Sequence, residues 1–185
     1  AADFAACEFI ICRFSQSQQQ QSADIFLLSK CKTMKDFNYE TVALVLESWE
    51  LARRCSNNFE KDFGCLVVER LIEIQPRVKL VFGYNEGVDV GDAHKKRHAE
   101  ALVGLFDSVL QMMGPDAEFM EDILYQVGMR HKKMGVKAAF FPYMGDSIIS
   151  CLEKTLGGAF TETHRDAWID LYEAISGEIV KAILS

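Results

Sequence analysis

No stretch of the 185-residue chain approaches the ~18 continuous apolar residues of a membrane-spanning helix. Basic residues are outnumbered, Lys and Arg 20 against Asp and Glu 27, for a formal net charge of −7. No basic face wide enough to follow a phosphate backbone is implied, so neither nucleic acid nor membrane is an expected partner. The six cysteines (Cys7, Cys12, Cys31, Cys55, Cys65 and Cys151) are scattered, with no CxxC pair and no Cys/His cluster. That spacing excludes a metal-thiolate site. The thiols read as reduced, buried or incidental in a cytoplasmic protein, with a disulfide involving the N-terminal ones left open. A Gly-rich dinucleotide-binding loop is absent, and so is any alternating strand pattern of more than about four residues.

What remains is 49% hydrophobic and 25% charged, the profile of a globular chain with one domain and an added tail. A core of this size can enclose a ligand of several hundred Å³, on the order of an ordinary small-molecule pocket. Residues 1–37 differ from the rest. SQSQQQQS is a polar low-complexity run that does not favour packing. The apolar FIIC before it is too short for a secretory core, and only Asp3 and Glu8 carry charge ahead of Arg13. The chain does not begin with Met, whereas Met34 stands just before the first patterned helix. Residues 1–37 are therefore expected to be an N-terminal extension and 38–185 the domain.

From about Tyr39 onward every pattern is helical. Val42, Leu46 and Trp49, with Val45 beside them, share one face. Asn57 and Asn58 are candidate caps for a second helix carrying Phe59, Phe63, Leu66, Val67 and Leu71. Pro76 suits the first turn of a short helix or corner ending at Phe82, and GYNEGVDVGDA reads as a loop. A helix from about Ala93 to Met113 places His98, Leu102, Leu105, Val109 and Met112 on one stripe, and Gly114-Pro115-Asp116 ends it. Ile123, Val127 and His131 share a face of the next helix. A long apolar helix is expected over about Ala138–Leu156, and a last one, capped by Thr161, runs to Leu184. The class is all-α, with about seven helices.

Of the four histidines, His94 stands among three cations in HKKRH and reads as solvated, and His164 in a polar first turn reads as structural. His98 and His131 each interrupt the apolar stripe of their own helix. Burying an unpaired polar group costs ~1–3 kcal/mol, so each needs a partner. The alternative for each is a hydrogen-bonded core residue. Two facing imidazoles without carboxylate or thiolate are a poor zinc set, which wants three or four protein ligands. They suit a haem iron, where a porphyrin supplies four nitrogens and the protein one or two axial groups.

These motifs, in this order, resemble the globin family over about residues 39–185. LESWELA resembles the first globin helix, QPRVKLVF the proline-to-phenylalanine corner, and RHAEALVGLFDSVL the distal helix. MRHKKMGVKAAFFPYMGDSI resembles the proximal helix and the start of the next. LGGAFTETHRDAWIDLYEAI resembles the end of that helix and the last one, with an AW…Y signature common in neuroglobin-like, cytoglobin-like and microbial globins. The resemblance implies the globin fold, a three-over-three helical sandwich, around haem b (protoporphyrin IX iron). It implies His131 as the proximal iron ligand and His98 as the distal histidine, either hydrogen-bonding a ligand or coordinating iron directly. It places Phe82 on the porphyrin face, Leu102 and Val68 at the distal pocket, and Val136 and Phe141 on the proximal side.

The implied function is reversible binding of O2, and of CO or NO, as carrier, store or sensor. Two alternatives follow. One is a haem enzyme (NO dioxygenase, nitrite reductase or peroxidase-like) served by a separate reductase, and the other is a non-haem interaction scaffold. Flavohaemoglobins pair a distal tyrosine with a proximal tyrosine–glutamate network. The matching positions here are Val68, Phe141 and Ile183, which cannot make those hydrogen bonds. A dedicated NO dioxygenase is therefore disfavoured. The neuroglobin-like motifs favour direct coordination by His98.

Overall fold

The computed structural model describes residues 37–83, 91–113 and 117–185. All of them belong to one compact unit, Lys32–Ser185. The expected extension, most of the GYNEGVDVGDA loop, the Gly114-Pro115-Asp116 break and Cys7, Cys12 and Cys31 lie outside the described residues.

Among the described residues there are six α-helices and no strand: α1 (Tyr39–Arg53), α2 (Phe59–Ile74), α3 (Gly91–Met112), α4 (Ala117–Lys133), α5 (Phe141–Leu156) and α6 (Glu162–Leu184). Short 3-10 turns occupy Pro76–Leu80, Ala138–Phe140 and Gly157–Ala159. The proline corner expected as a short helix is the first of these turns. The long apolar helix begins at Phe141 rather than Ala138. Pro142 has no N–H to give and fits only a first turn, which fixes the α-helical start there.

The helices form two layers, α1, α3 and α4 over α2, α5 and α6, the expected three-over-three sandwich. α2 packs on α3 and α5, α4 packs on α6, and α1 packs on α6 and α5. One large core joins Trp49, Phe63, Phe106, Leu124, Leu152 and Trp168, and a smaller one joins Val68, Leu71, Val78, Phe82 and Ala99.

Helix caps and faces refine the sequence expectations. Thr161 caps α6 as expected, but the box is closed by His164, whose Nδ1 accepts from Thr161 N at 3.1 Å. Asn58 occupies the N-cap position of α2 without a side-chain bond. Ser56 serves that turn instead, accepting from Asn58 N at 3.0 Å and donating to Asp62 at 2.5 Å.

On α1 the buried stripe is Val45, Ser48, Trp49 and Ala52, while Leu46 is exposed. Ser48 can be buried because its hydroxyl donates to Leu44 O at 2.9 Å and accepts from Trp168 Nε1 at 2.8 Å. On α4, Met120 and Leu124 are buried and Ile123 is largely exposed.

Two glycines seat the two histidine-bearing helices. A Cβ at Gly64 on α2 would collide with the Ala99 backbone on α3, and a Cβ at Gly128 on α4 would collide with Ile179 O on α6.

Candidate functional site

α3 and α4 each turn one imidazole towards a shared space. The ring centroids of His98 and His131 lie 6.2 Å apart, with planes at 85°. A phenylalanine backs each histidine. Phe82 meets His98 edge-on at 5.2 Å, and Phe141 meets His131 at 5.6 Å. The four rings, in contact pair by pair, line a cavity of about 490 Å³. Its walls are mostly apolar: Leu71, Val78, Val81, Phe82, Met134, Val136, Phe140, Phe141 and Met144, with His94, Arg97, His98 and His131 as the polar members.

The two histidines differ in how they are held. His131 Nδ1 donates to Val127 O at 2.9 Å, one turn back on its own helix, which leaves Nε2 as the nitrogen with a free lone pair. His98 Nδ1 is buried and has no hydrogen-bond partner. Burial, reinforced by the facing His131, pushes the His98 pKa down from 6.5 to about 4, so the ring is neutral at physiological pH. A neutral imidazole is the form that ligates a metal. Among the described residues no group of three or more His, Cys, Asp or Glu is placed to hold a metal ion by protein ligands alone.

Of the residues singled out from sequence, the cavity brings together His98, His131, Phe82, Val136 and Phe141. It does not bring in Val68 or Leu102. Val68 is fully buried behind the wall, packed with Leu71, Val78 and Phe82, and Leu102 packs against the large core. On α3 the buried residues are Ala99, Val103, Phe106, Val109 and Leu110, and Leu102 is only partly buried beside them. Ile183 also packs against that core.

Sequence reasoning missed Met134, Met144, Phe140, Arg97 and His94 at the cavity. Met134 lies three residues after His131, a helical neighbour spacing that could have drawn it in. His94 is not simply solvated, because its Nδ1 lies 3.1 Å from Phe82 O.

Behind Phe141, Tyr172 O–H donates to Phe141 O at 2.7 Å, and burial pushes its pKa up. Its ring lies against Gly145, where a Cβ would stand only 2.6 Å away. α6 thereby holds the start of α5, and with it Phe141, in place.

Residues 67–179, more than half of the chain, match the globin family profile, and the chain belongs to the globin family. Neuroglobin of Danio rerio is 25% identical over 149 residues, covering 77% of this chain and 89% of the relative. Neuroglobin of Tetraodon nigroviridis is 26% identical over 117 residues, covering 60% of this chain and 73% of the relative. Two solved structures share the fold. A hexacoordinated haem protein from an anhydrobiotic tardigrade has TM-score 0.69 and 19% identity, covering 81% of this chain and 97% of its own. The hexa-coordinate haemoglobin of Drosophila melanogaster, studied for cyanide binding and cavity transitions, has TM-score 0.67 and 20% identity, covering 78% and 94%.

Proposed function

We propose that this globin holds a haem between His131 and His98, whose imidazoles would both bind its iron, and binds O2, CO or NO reversibly, with His98 the residue that would yield to the ligand. The observation that carries the reading is the 6.2 Å between the two imidazole centroids. One metal atom bound by a nitrogen of each ring, at about 2 Å per bond and with each nitrogen roughly 1.1 Å from its centroid, needs about 6 Å. The donor set fits as well: two imidazoles suit an iron whose other four ligands come from a porphyrin. The hexacoordinate proteins of the same fold give the reading further support.

When bound, haem b would supply the iron that takes up a diatomic ligand. The chain's own residues do the rest. Val127 O holds the His131 ring in the tautomer that presents Nε2. Phe82, Val136 and Phe141 give apolar walls that exclude water and a second haem, which slows iron oxidation. Once displaced, His98 has an N–H to donate to the incoming ligand's partial negative charge. Phe141 offers His131 only a carbon ring, and the nearby Tyr172 hydroxyl is committed to a main-chain carbonyl. That supports ligand binding over chemistry that needs an electron-rich proximal histidine.

Expression with haem supply should give a red protein with an intense Soret band, and His131→Ala should lose haem. The ferrous, ligand-free spectrum should show two resolved visible bands. One broad band would mean five-coordinate iron and end the bis-histidyl reading, while a colourless protein would end the haem reading altogether.

A further inference from the structure

His94 has no part in the ligand-binding reading, yet it is built into the site. It stands in the first turn of α3, one helical turn before His98, so the two rings project from the same side of the helix. Its Nδ1 lies 3.1 Å from the carbonyl of Phe82, across 12 residues of chain. Phe82 is buried at the end of the proline corner, and its ring is the one that meets His98 edge-on at 5.2 Å. The contacts close a circuit. The Phe82 backbone holds His94, α3 carries His94 to His98, and His98 leans on the Phe82 ring.

This circuit bears on the movement that ligand binding requires. For a diatomic molecule to occupy the space between the two imidazoles, His98 must leave it. Phe82 blocks one side of its swing, so the corner and the first turns of α3 have to separate. The His94 Nδ1–H donated to Phe82 O resists that separation.

We propose that His94 is a positioning residue that sets how readily His98 yields to a ligand. The proposal rests on the bis-histidyl reading above. His94 needs no contact with the iron for this role, and its ring is exposed enough that replacing it leaves the core untouched.

The test uses the full chain loaded with haem and mixes the ferrous form with carbon monoxide. At saturating gas the observed rate reports departure of His98. His94→Phe keeps the ring volume and removes the donor, and His94→Gln retains a donor. The loss of this one part-buried hydrogen bond should raise the rate about three- to tenfold in His94→Phe. His94→Gln should stay near the wild-type rate.

A second readout needs no gas: exchange of the main-chain amides of residues 95–98, which have acceptors one turn back in α3, should quicken in His94→Phe and not in His94→Gln. Wild-type rates in both variants would overturn the proposal. Equal acceleration in both would overturn it too, because ring packing rather than the bond would then be responsible. A five-coordinate wild type would remove the reading beneath it, an outcome visible in the spectrum before any variant is made.

Discussion

Burial gives His98 a pH dependence that the spectrum does not report. Its pKa falls from 6.5 to about 4 on folding, first through desolvation and then through the facing His131. Between those values the unfolded chain binds a proton that the folded ring refuses. Stability without haem therefore rises with pH across this window and is lost as the pH falls from about 6.5 towards about 4. Urea midpoints of the haem-free protein should show this slope, and His98→Phe should flatten it. An unchanged slope in the variant would assign the acid sensitivity elsewhere. His98 and His131 were legible in the sequence because a histidine in an apolar stripe demands an explanation. His94 was not, because three neighbouring cations suggested a solvated turn and the carbonyl it meets lies 12 residues away.

Helices were legible at their centres and less so at their faces. Apolar spacing found α2, with Phe59, Phe63, Val67 and Leu71 buried and Leu66 partly buried. On α1 and α4 the buried stripe includes serine, alanine or glycine where larger apolar neighbours such as Leu46 and Ile123 face out. Small residues are chosen by the closeness of the next helix, which no single-helix pattern contains. That closeness is measurable. Gly128→Val should force α4 away from the Ile179 backbone on α6, and Gly64→Val on α2 should force α3 away at Ala99. Each should destabilise by roughly 2–3 kcal/mol or more, the cost of overpacking against backbone that cannot yield. The same variants should weaken haem retention, because each moves a histidine-bearing helix. Gly104→Ala, where nothing stands within 4 Å, is the control and should be neutral or slightly stabilising.

The order of motifs along the chain carried the fold, since a corner, two histidine-bearing helices and a tryptophan-bearing last helix in that sequence leave few arrangements. The cavity itself was less legible, because Met144 and Arg97 join it through the tertiary arrangement of α3 and α5. The described residues contain His98, His131, two apolar cores and the cavity-lining residues named above. Residues 38–185 are therefore proposed to be the functional domain. A chain lacking residues 1–36 should retain haem and melt within about 2 °C of the full chain, a shift worth at most about 1 kcal/mol at this size. A large drop would give the N-terminal residues a structural role.

The only two tryptophans of the sequence, Trp49 and Trp168, sit in one cluster with ring centroids 5.5 Å apart. Their emission is therefore a single optical signal from the heart of the α1–α6 contact. A haem in the neighbouring cavity absorbs where indole emits, so occupancy should darken both rings together and release should restore both. The unlabelled protein thus carries its own fluorescent gauge of cofactor loading, readable at concentrations too dilute for absorbance.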